Sequence, residues 1–157
     1  MDDMFTRTRA LIGDAALEIL RGSRVAVFGV GGVGGHCVEA LVRSGVGHLL
    51  LVDGDEVVES NLNRQAVAYR STLGRPKAEA MRERMLDINP DADITALRAF
   101  YLPGDEHGIW DRPLDLVVDA IDTVAAKADL ALQAQKRGVK IVSCMGAGNK
   151  RNPFLFE

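Results

Sequence analysis

The chain has 157 residues, 47% of them apolar and 26% charged, with a net charge of −3. That suffices for one domain with its own core, and it excludes both a disordered chain and a protein held to nucleic acid by overall positive charge, though not a local basic patch. No apolar run approaches the roughly 20 residues of a membrane span, and Met1-Asp2-Asp3 opens no signal peptide. Cys37 and Cys144 lack metal-ligand spacing, so a reduced, cytoplasmic protein without membrane contact in this chain is expected.

In chain order, Leu11, Ala15, Leu17 and Leu20 mark an amphipathic helix ending near Gly22. Residues 1–22 are expected to form a helical segment and residues 23–157 a nucleotide-binding domain. Val25 to Phe28 is an apolar run typical of a buried parallel strand. Gly29 to Gly35 turns into a helix bearing Val38, Leu41 and Val42, which Gly45 and Gly47 stop. Leu49 to Val52 is a second buried strand ending at Asp53. Asp55 to Thr72 is polar and irregular, with a helical turn near Asn61 to Gln65. After Pro76, Ala78, Met81, Met85 and Ile88 recur at helical spacing, and Asn89-Pro90 stops that helix.

A third strand is expected over Ile94–Leu97, a loop with one helical turn over Leu102–Pro113, and a fourth strand over Leu116–Val118. A helix over about Val124–Arg137 and a fifth strand at Ile141–Val142 lead into a second glycine loop, Gly146–Gly148. This alternation predicts an α/β, Rossmann-like, doubly wound and mostly parallel sheet with helices on both faces. The apolar Phe154, Leu155 and Phe156 read as the start of an uncompleted strand, as in a C-terminally truncated chain.

The chemistry gathers at the strand ends. Gly29-x-Gly31-x-x-Gly34 follows a strand and opens a helix, so its backbone can approach phosphates at a helix N-terminus. Asp53 ends the next strand roughly 20 residues on, where a ribose acid belongs. The pattern itself does not choose between NAD and ATP. ATP carries a further phosphate and usually magnesium, and so needs cations and a carboxylate nearby. Asn61, Arg64 and Gln65 follow the acid, Lys77 opens the next helix, and Asp122 lies past the fourth strand on the edge where ligands collect. The plainer alternatives are a solvated Arg64, a surface Lys77 and a helix-capping Asp122.

"GVGGVGG", "VDGDEVVESNLNRQ", "LGRPKAEAMRERMLDINP" and "DAIDTVAAK" resemble successive motifs of the MoeB/ThiF/HesA superfamily, which includes the activating domains for ubiquitin-like proteins. The resemblance implies ATP with Mg2+, attack of a substrate carboxylate on the α-phosphate, and an acyl adenylate plus pyrophosphate as products. It implies Asp53 as ribose ligand, with Asp55 in the nucleotide set, and Asn61, Arg64 and Lys77 as phosphate contacts. Gln65 would support them, Asp122 would hold magnesium, and Gly31 and Gly32 would let the backbone pass close to the nucleotide. Arg64, Lys77 and Asp122 would be the catalytic residues. A homodimer is implied too, with Arg7 loosely matching an arginine lent across the interface and a surface arginine as the alternative.

Sulfur-carrier activators commonly carry arginine five residues after the aspartate matching Asp122, and this chain has Lys127. With "TRTRALIGDAALEIL", "SGVGHLLLVDGDEV" and "MGAGNKRNP", it is more similar to the tRNA threonylcarbamoyladenosine dehydratase branch (TcdA, CsdL, YgdL). That branch implies tRNA as substrate and ring closure with net loss of water. The alternative is adenylation of the C-terminal glycine of a ubiquitin-like carrier, with a sulfur-carrier or cysteine desulfurase system as partner. Arg75, Arg82, Arg84, Lys136, Arg137 and Lys150 are candidates for a basic rim, or else solvated helix faces.

Overall fold

The computed structural model describes residues 3–104 and 107–145. The second glycine loop and the final apolar residues therefore lie outside the described residues. Helix α1 (Thr6–Gly22) leads to β1 (Arg24–Phe28), α2 (Gly34–Ser44), β2 (His48–Val52), α3 (Lys77–Ile88), β3 (Asp93–Leu97), β4 (Leu116–Asp119), α4 (Val124–Arg137) and β5 (Lys140–Ser143). Single 3₁₀ turns at Glu59–Asn61, Arg70–Thr72 and Ile109–Asp111 punctuate the loops.

The strands form one five-stranded sheet in the order β3-β2-β1-β4-β5. All its pairings are parallel, with Ala26 opposite Leu50 on one side and Val117 on the other. Successive side chains of a strand point to opposite faces, and the apolar residues divide accordingly. Val25, Val27, Leu49, Leu51 and Val118 pack beneath α2 and α3 with Val38, Val42, Met81 and Met85. Ala26, Phe28, Leu50, Val52 and Val117 pack on the other face with Tyr101, Ile109 and, from α4, Ala126 and Leu130. Both faces of the central strands are covered, which is why they read as unbroken apolar runs. The chain passes from β1 to β3 on one side and returns to β4 on the other, opening a crevice beyond the C-terminal ends of β1 and β4.

Helix α1 departs from the expected apolar stripe. Leu17 is fully buried and Leu20 half-buried, but Ala15 is exposed and Leu11 is 85% exposed. Gly13, at φ 82° and ψ 166°, breaks the helix, so the turn bearing Leu11 follows a different direction from the one that docks Leu17. Phe5 folds back and is buried, with its ring close to Leu17 beside Gly45. Among the described residues no helix is long and apolar enough to cross a membrane.

Candidate active site

The crevice is a cavity of about 820 Å³ at the C-terminal edge of the sheet. Gly29, Gly31, Gly32, Asp53, Asp55, Asn61, Arg64, Gln65, Lys77 and Asp122 all line it, so every residue expected in the nucleotide set reaches it except Gly34, whereas Arg7, exposed on α1, does not line it. A smaller cavity, about 370 Å³, opens at the opposite edge of the sheet between Arg24, His48, Asp93 and Arg112, and contains none of them.

The glycines of the loop divide by task. Gly29 has φ +85°, and a Cβ there would sit 2.7 Å from the Ala120 carbonyl oxygen. A Cβ on Gly34 would sit 1.7 Å from the Gly29 carbonyl oxygen. These two are required by the loop itself. Gly31 and Gly32 have no such need: added carbons would meet only Gln65 Nε2 and Arg64 Cγ, each at 3.7 Å. Their bare backbone faces the cavity.

Asp53 is buried just beyond β2. Its Oδ2 accepts the Val30 N–H at 2.7 Å and its Oδ1 the Asp55 N–H at 2.8 Å. Burial pushes its carboxyl above the ordinary 3.8, while those two N–H groups and nearby Lys77 pull it back down. Each carboxylate oxygen retains a lone pair for a further donor. The Asp53 carboxylate is thereby fixed in direction by the glycine loop it faces.

Lys77 opens α3 and is 5% exposed, its Nζ 2.8 Å from Asp55 Oδ2. The lysine is therefore no solvated surface group. Asp55, placed by resemblance in the nucleotide set, serves within the protein as the counter-ion of Lys77 and as a backbone donor to Asp53. Asn61 is buried in the turn after Val58; its Oδ1 accepts the Val58 N–H at 3.1 Å, and its own N–H donates to the Val58 carbonyl at 2.9 Å. The expected turn from Asn61 to Gln65 is present, with the N–H groups of Arg64 and Gln65 both donating to the Asn61 carbonyl.

Arg64 is exposed and its stem lies beside Gly32. Its Nη1 donates to the Ser60 carbonyl and to Asn63 Oδ1, each at 2.9 Å, and it pairs with no acid among the described residues. His36 contacts the Arg64 carbonyl at 3.3 Å and ties the turn to α2. Gln65 carries a buried Oε1 without a partner among the described residues. Unsatisfied buried acceptors are uncommon in folded proteins and need an explanation.

Asp122 stands exposed in the turn between β4 and α4 and makes no capping bond; Thr123 holds the N-cap position. Two groups escaped the sequence reading. Asp119, with no solvent exposure, accepts from Lys127 Nζ at 3.0 Å, and that ammonium also donates to the Cys144 carbonyl at 2.8 Å. The pair joins the ends of β4 and β5 under the loop that bears Asp122. Phe100, just after β3, lines the cavity while 61% exposed. Cys144 lines the cavity rim, and Cys37 lies half-buried against the core with its thiol pushed up by burial. Of the expected basic rim, Arg75 pairs with Glu83, Arg84 with Glu39, and Arg82 donates to the Ile94 carbonyl, while Lys150 lies outside the described residues.

Glycine loop, ribose-type acid, buried lysine and unpaired arginine meet in one cavity, and comparison with known proteins gives the same company. The model of the ThiF family matches residues 5–157. The chain belongs to the ThiF family. It is 46% identical over 153 residues to the tRNA threonylcarbamoyladenosine dehydratase of Bacillus subtilis, covering 98% of this chain and 60% of that protein. The Escherichia coli dehydratase TcdA, solved with ATP, superposes with a TM-score of 0.92 at 36% identity, over 96% of this chain and 62% of that one. The same enzyme has also been solved with AMP. The Escherichia coli molybdopterin-synthase adenylyltransferase is 38% identical over 126 residues, 80% of this chain and 50% of that protein. The chain thus spans about 60% of the length of the dehydratases it matches.

Proposed function

We propose that this ThiF-family chain binds ATP in the cavity and adenylates a carboxylate, that of the threonylcarbamoyl group on a tRNA adenosine. The carboxylate oxygen bonds to the α-phosphorus, the bond to the β-phosphate oxygen breaks, and pyrophosphate leaves with the electron pair. The neighbouring carbamoyl group then displaces AMP and closes a ring, so the net change to the tRNA is loss of water. No cysteine of this chain is required in that sequence.

The observation that carries the reading is the surplus of phosphate-directed groups beyond what a dinucleotide needs. Arg64, without an acid partner among the described residues, has its stem beside the open backbone of Gly32, and the buried Lys77 ammonium lies in the same wall. These fixed cations oppose charge growing on the departing pyrophosphate. Asp53 would take the ribose hydroxyls with the lone pairs its backbone donors leave free. The amide N–H donors of Asn61, which no described protein group accepts, fit a phosphate oxygen. The orphaned Gln65 Oε1 suits a ligand hydroxyl or a bound water.

Magnesium fits the site through Asp122, a carboxylate on the cavity wall that is exposed and unpaired among the described residues, because that ion commonly takes one or two carboxylates and otherwise water and phosphate oxygens. When bound, it would supply further charge neutralisation on the phosphates. We also propose a homodimer through the N-terminal segment, supported by Met4 and Leu11, which are exposed at 48% and 85%. Phe5 is excluded from that contact because it is buried within its own chain.

A second reading, adenylation of the C-terminus of a ubiquitin-like sulfur carrier, is supported by the similarity to the molybdopterin enzyme. ATP–pyrophosphate exchange separates the two. Exchange is expected with tRNA carrying threonylcarbamoyladenosine and not with a sulfur-carrier protein; the reverse pattern overturns the tRNA reading. Calorimetry with ATP and NADH tests the nucleotide half alone, and tighter binding of NADH would overturn it.

A further inference from the structure

We infer that Phe100 is the stacking platform for the nucleotide base, an inference that rests on the ATP reading and adds a specificity residue to it. Phe100 is a large apolar side chain left 61% exposed on the cavity wall. Its place in the fold gives that exposure a direction. The glycine loop follows β1, Asp53 follows β2, and Phe100 comes shortly after β3, and these three strands are neighbours in the sheet. Adjacent strands lie about 4.8 Å apart. A nucleotide with phosphates over the first loop and ribose at Asp53 therefore carries its base one strand further, onto Phe100. The other direction leads toward β4 and Asp122, where the outer phosphates belong.

The ring is seated for this purpose. A Cβ on Gly54 would lie 2.6 Å from Cδ2 and Cε2 of Phe100 and 2.8 Å from Cγ. Gly54 does not have a left-handed φ, so its lack of a side chain serves space rather than backbone freedom. The ring lies against the backbone of the residue next to the ribose acid. Its neighbour Tyr101 is buried, stacks edge-on against Phe28 at 5.2 Å and donates its hydroxyl to Asp129 at 2.6 Å. His107 contacts the Phe100 carbonyl at 3.2 Å. The platform is anchored on both sides while its ring stays open to the cavity.

Calorimetry on the parent, Phe100→Ala and Phe100→Trp, with ATP and with base-less ribose 5-triphosphate, tests the assignment. The exposed position makes misfolding of these variants a minor concern, and far-UV circular dichroism checks it. The parent should prefer ATP to ribose triphosphate. Phe100→Ala should weaken ATP by about five- to a hundred-fold, the range of one base–aromatic stack, and leave ribose triphosphate unchanged. Phe100→Trp should restore the preference, with its added indole fluorescence quenched by ATP and not by ribose triphosphate. ATP affinity unchanged in a parent-like Phe100→Ala, or an equal loss for both ligands, overturns the platform alone. A parent that binds neither ligand overturns the ATP reading and the platform with it.

Discussion

The loop glycines allow fold and ligand to be separated by single methyl groups. In Gly34→Ala the new carbon would stand 1.7 Å from the Gly29 carbonyl oxygen, about half a van der Waals separation. Relief requires the loop or the start of α2 to move by more than an ångström. Overpacking of this kind costs about 1–3 kcal/mol and sometimes more, and a backbone carbonyl has less freedom to yield than a side chain. A loss near 3 kcal/mol lowers Tm by about 6–12 °C in a chain of this size. In Gly32→Ala the carbon meets the Arg64 stem at 3.7 Å, an ordinary contact, on a backbone without left-handed φ. Its stability should stay within about 0.5 kcal/mol of the parent, or rise slightly as the unfolded chain loses freedom. ATP affinity should nevertheless fall about tenfold or more, because the methyl occupies the face offered to phosphate. Thermal melts and calorimetry on the two variants give the comparison. Equal destabilisation by both, or parent-like ATP affinity in Gly32→Ala, would refute the division.

Other perturbations probe the rest of the wall. Arg64→Ala should melt like the parent and weaken ATP by about 1.5–3 kcal/mol but AMP by much less, since AMP lacks the outer phosphates; equal losses would make Arg64 structural. Lys127→Met leaves the fully buried Asp119 without its cation and should cost about 3–5 kcal/mol, most of it recovered in Asp119→Asn/Lys127→Met; a urea midpoint unchanged in the single variant would count against the pair. The Asp53 carboxyl lies above its ordinary 3.8 in the fold, so the native state holds that proton more tightly than the unfolded state. Its stability contribution is complete below 3.8 and is lost as pH rises through the raised folded value. The Tm difference of parent minus Asp53→Asn should therefore fall across that window, and a rising difference would contradict the assignment.

The residues legible in the sequence are those whose role is set by near neighbours in the chain. Val25 to Phe28 declares a strand buried on both faces, and the real strand starts one residue earlier, at Arg24. Helix α4 runs over the expected Val124–Arg137, and Gly138 closes it with a left-handed φ. Leu11 has the right spacing for a buried stripe, yet periodicity cannot reveal the break at Gly13 or whether anything faces the turn before it. The pairing of the basic residues was hidden for a similar reason. Arginines are countable in a sequence, but the Glu39 that takes up Arg84 is 45 positions away. Phe100 was invisible because one aromatic after a strand resembles any other until Gly54, from a different strand end, is seen beneath it.

The pairing of Lys77 with Asp55 bears directly on how this wall would work. A lysine only 5% exposed costs free energy to keep charged unless a carboxylate accompanies it. Asp55 supplies that partner from the loop after β2, so the ammonium is held in place before any ligand arrives. An ammonium has three donors, and Asp55 Oδ2 takes one of them. The other donors can meet a phosphate without breaking the pair. Asp55 itself is half-exposed, so its negative charge is screened by solvent more than the buried ammonium is. With the ammonium already in place, little reorganisation is needed when charge grows on a leaving group, which is the condition for strong electrostatic assistance. Removing Asp55 should therefore harm Lys77 more than it helps phosphate: in Asp55→Ala the lysine loses the partner that holds it in place, and ATP affinity should fall rather than rise. Tighter ATP binding in that variant would show that Asp55 competes with phosphate for Lys77 instead of holding the ammonium ready for it.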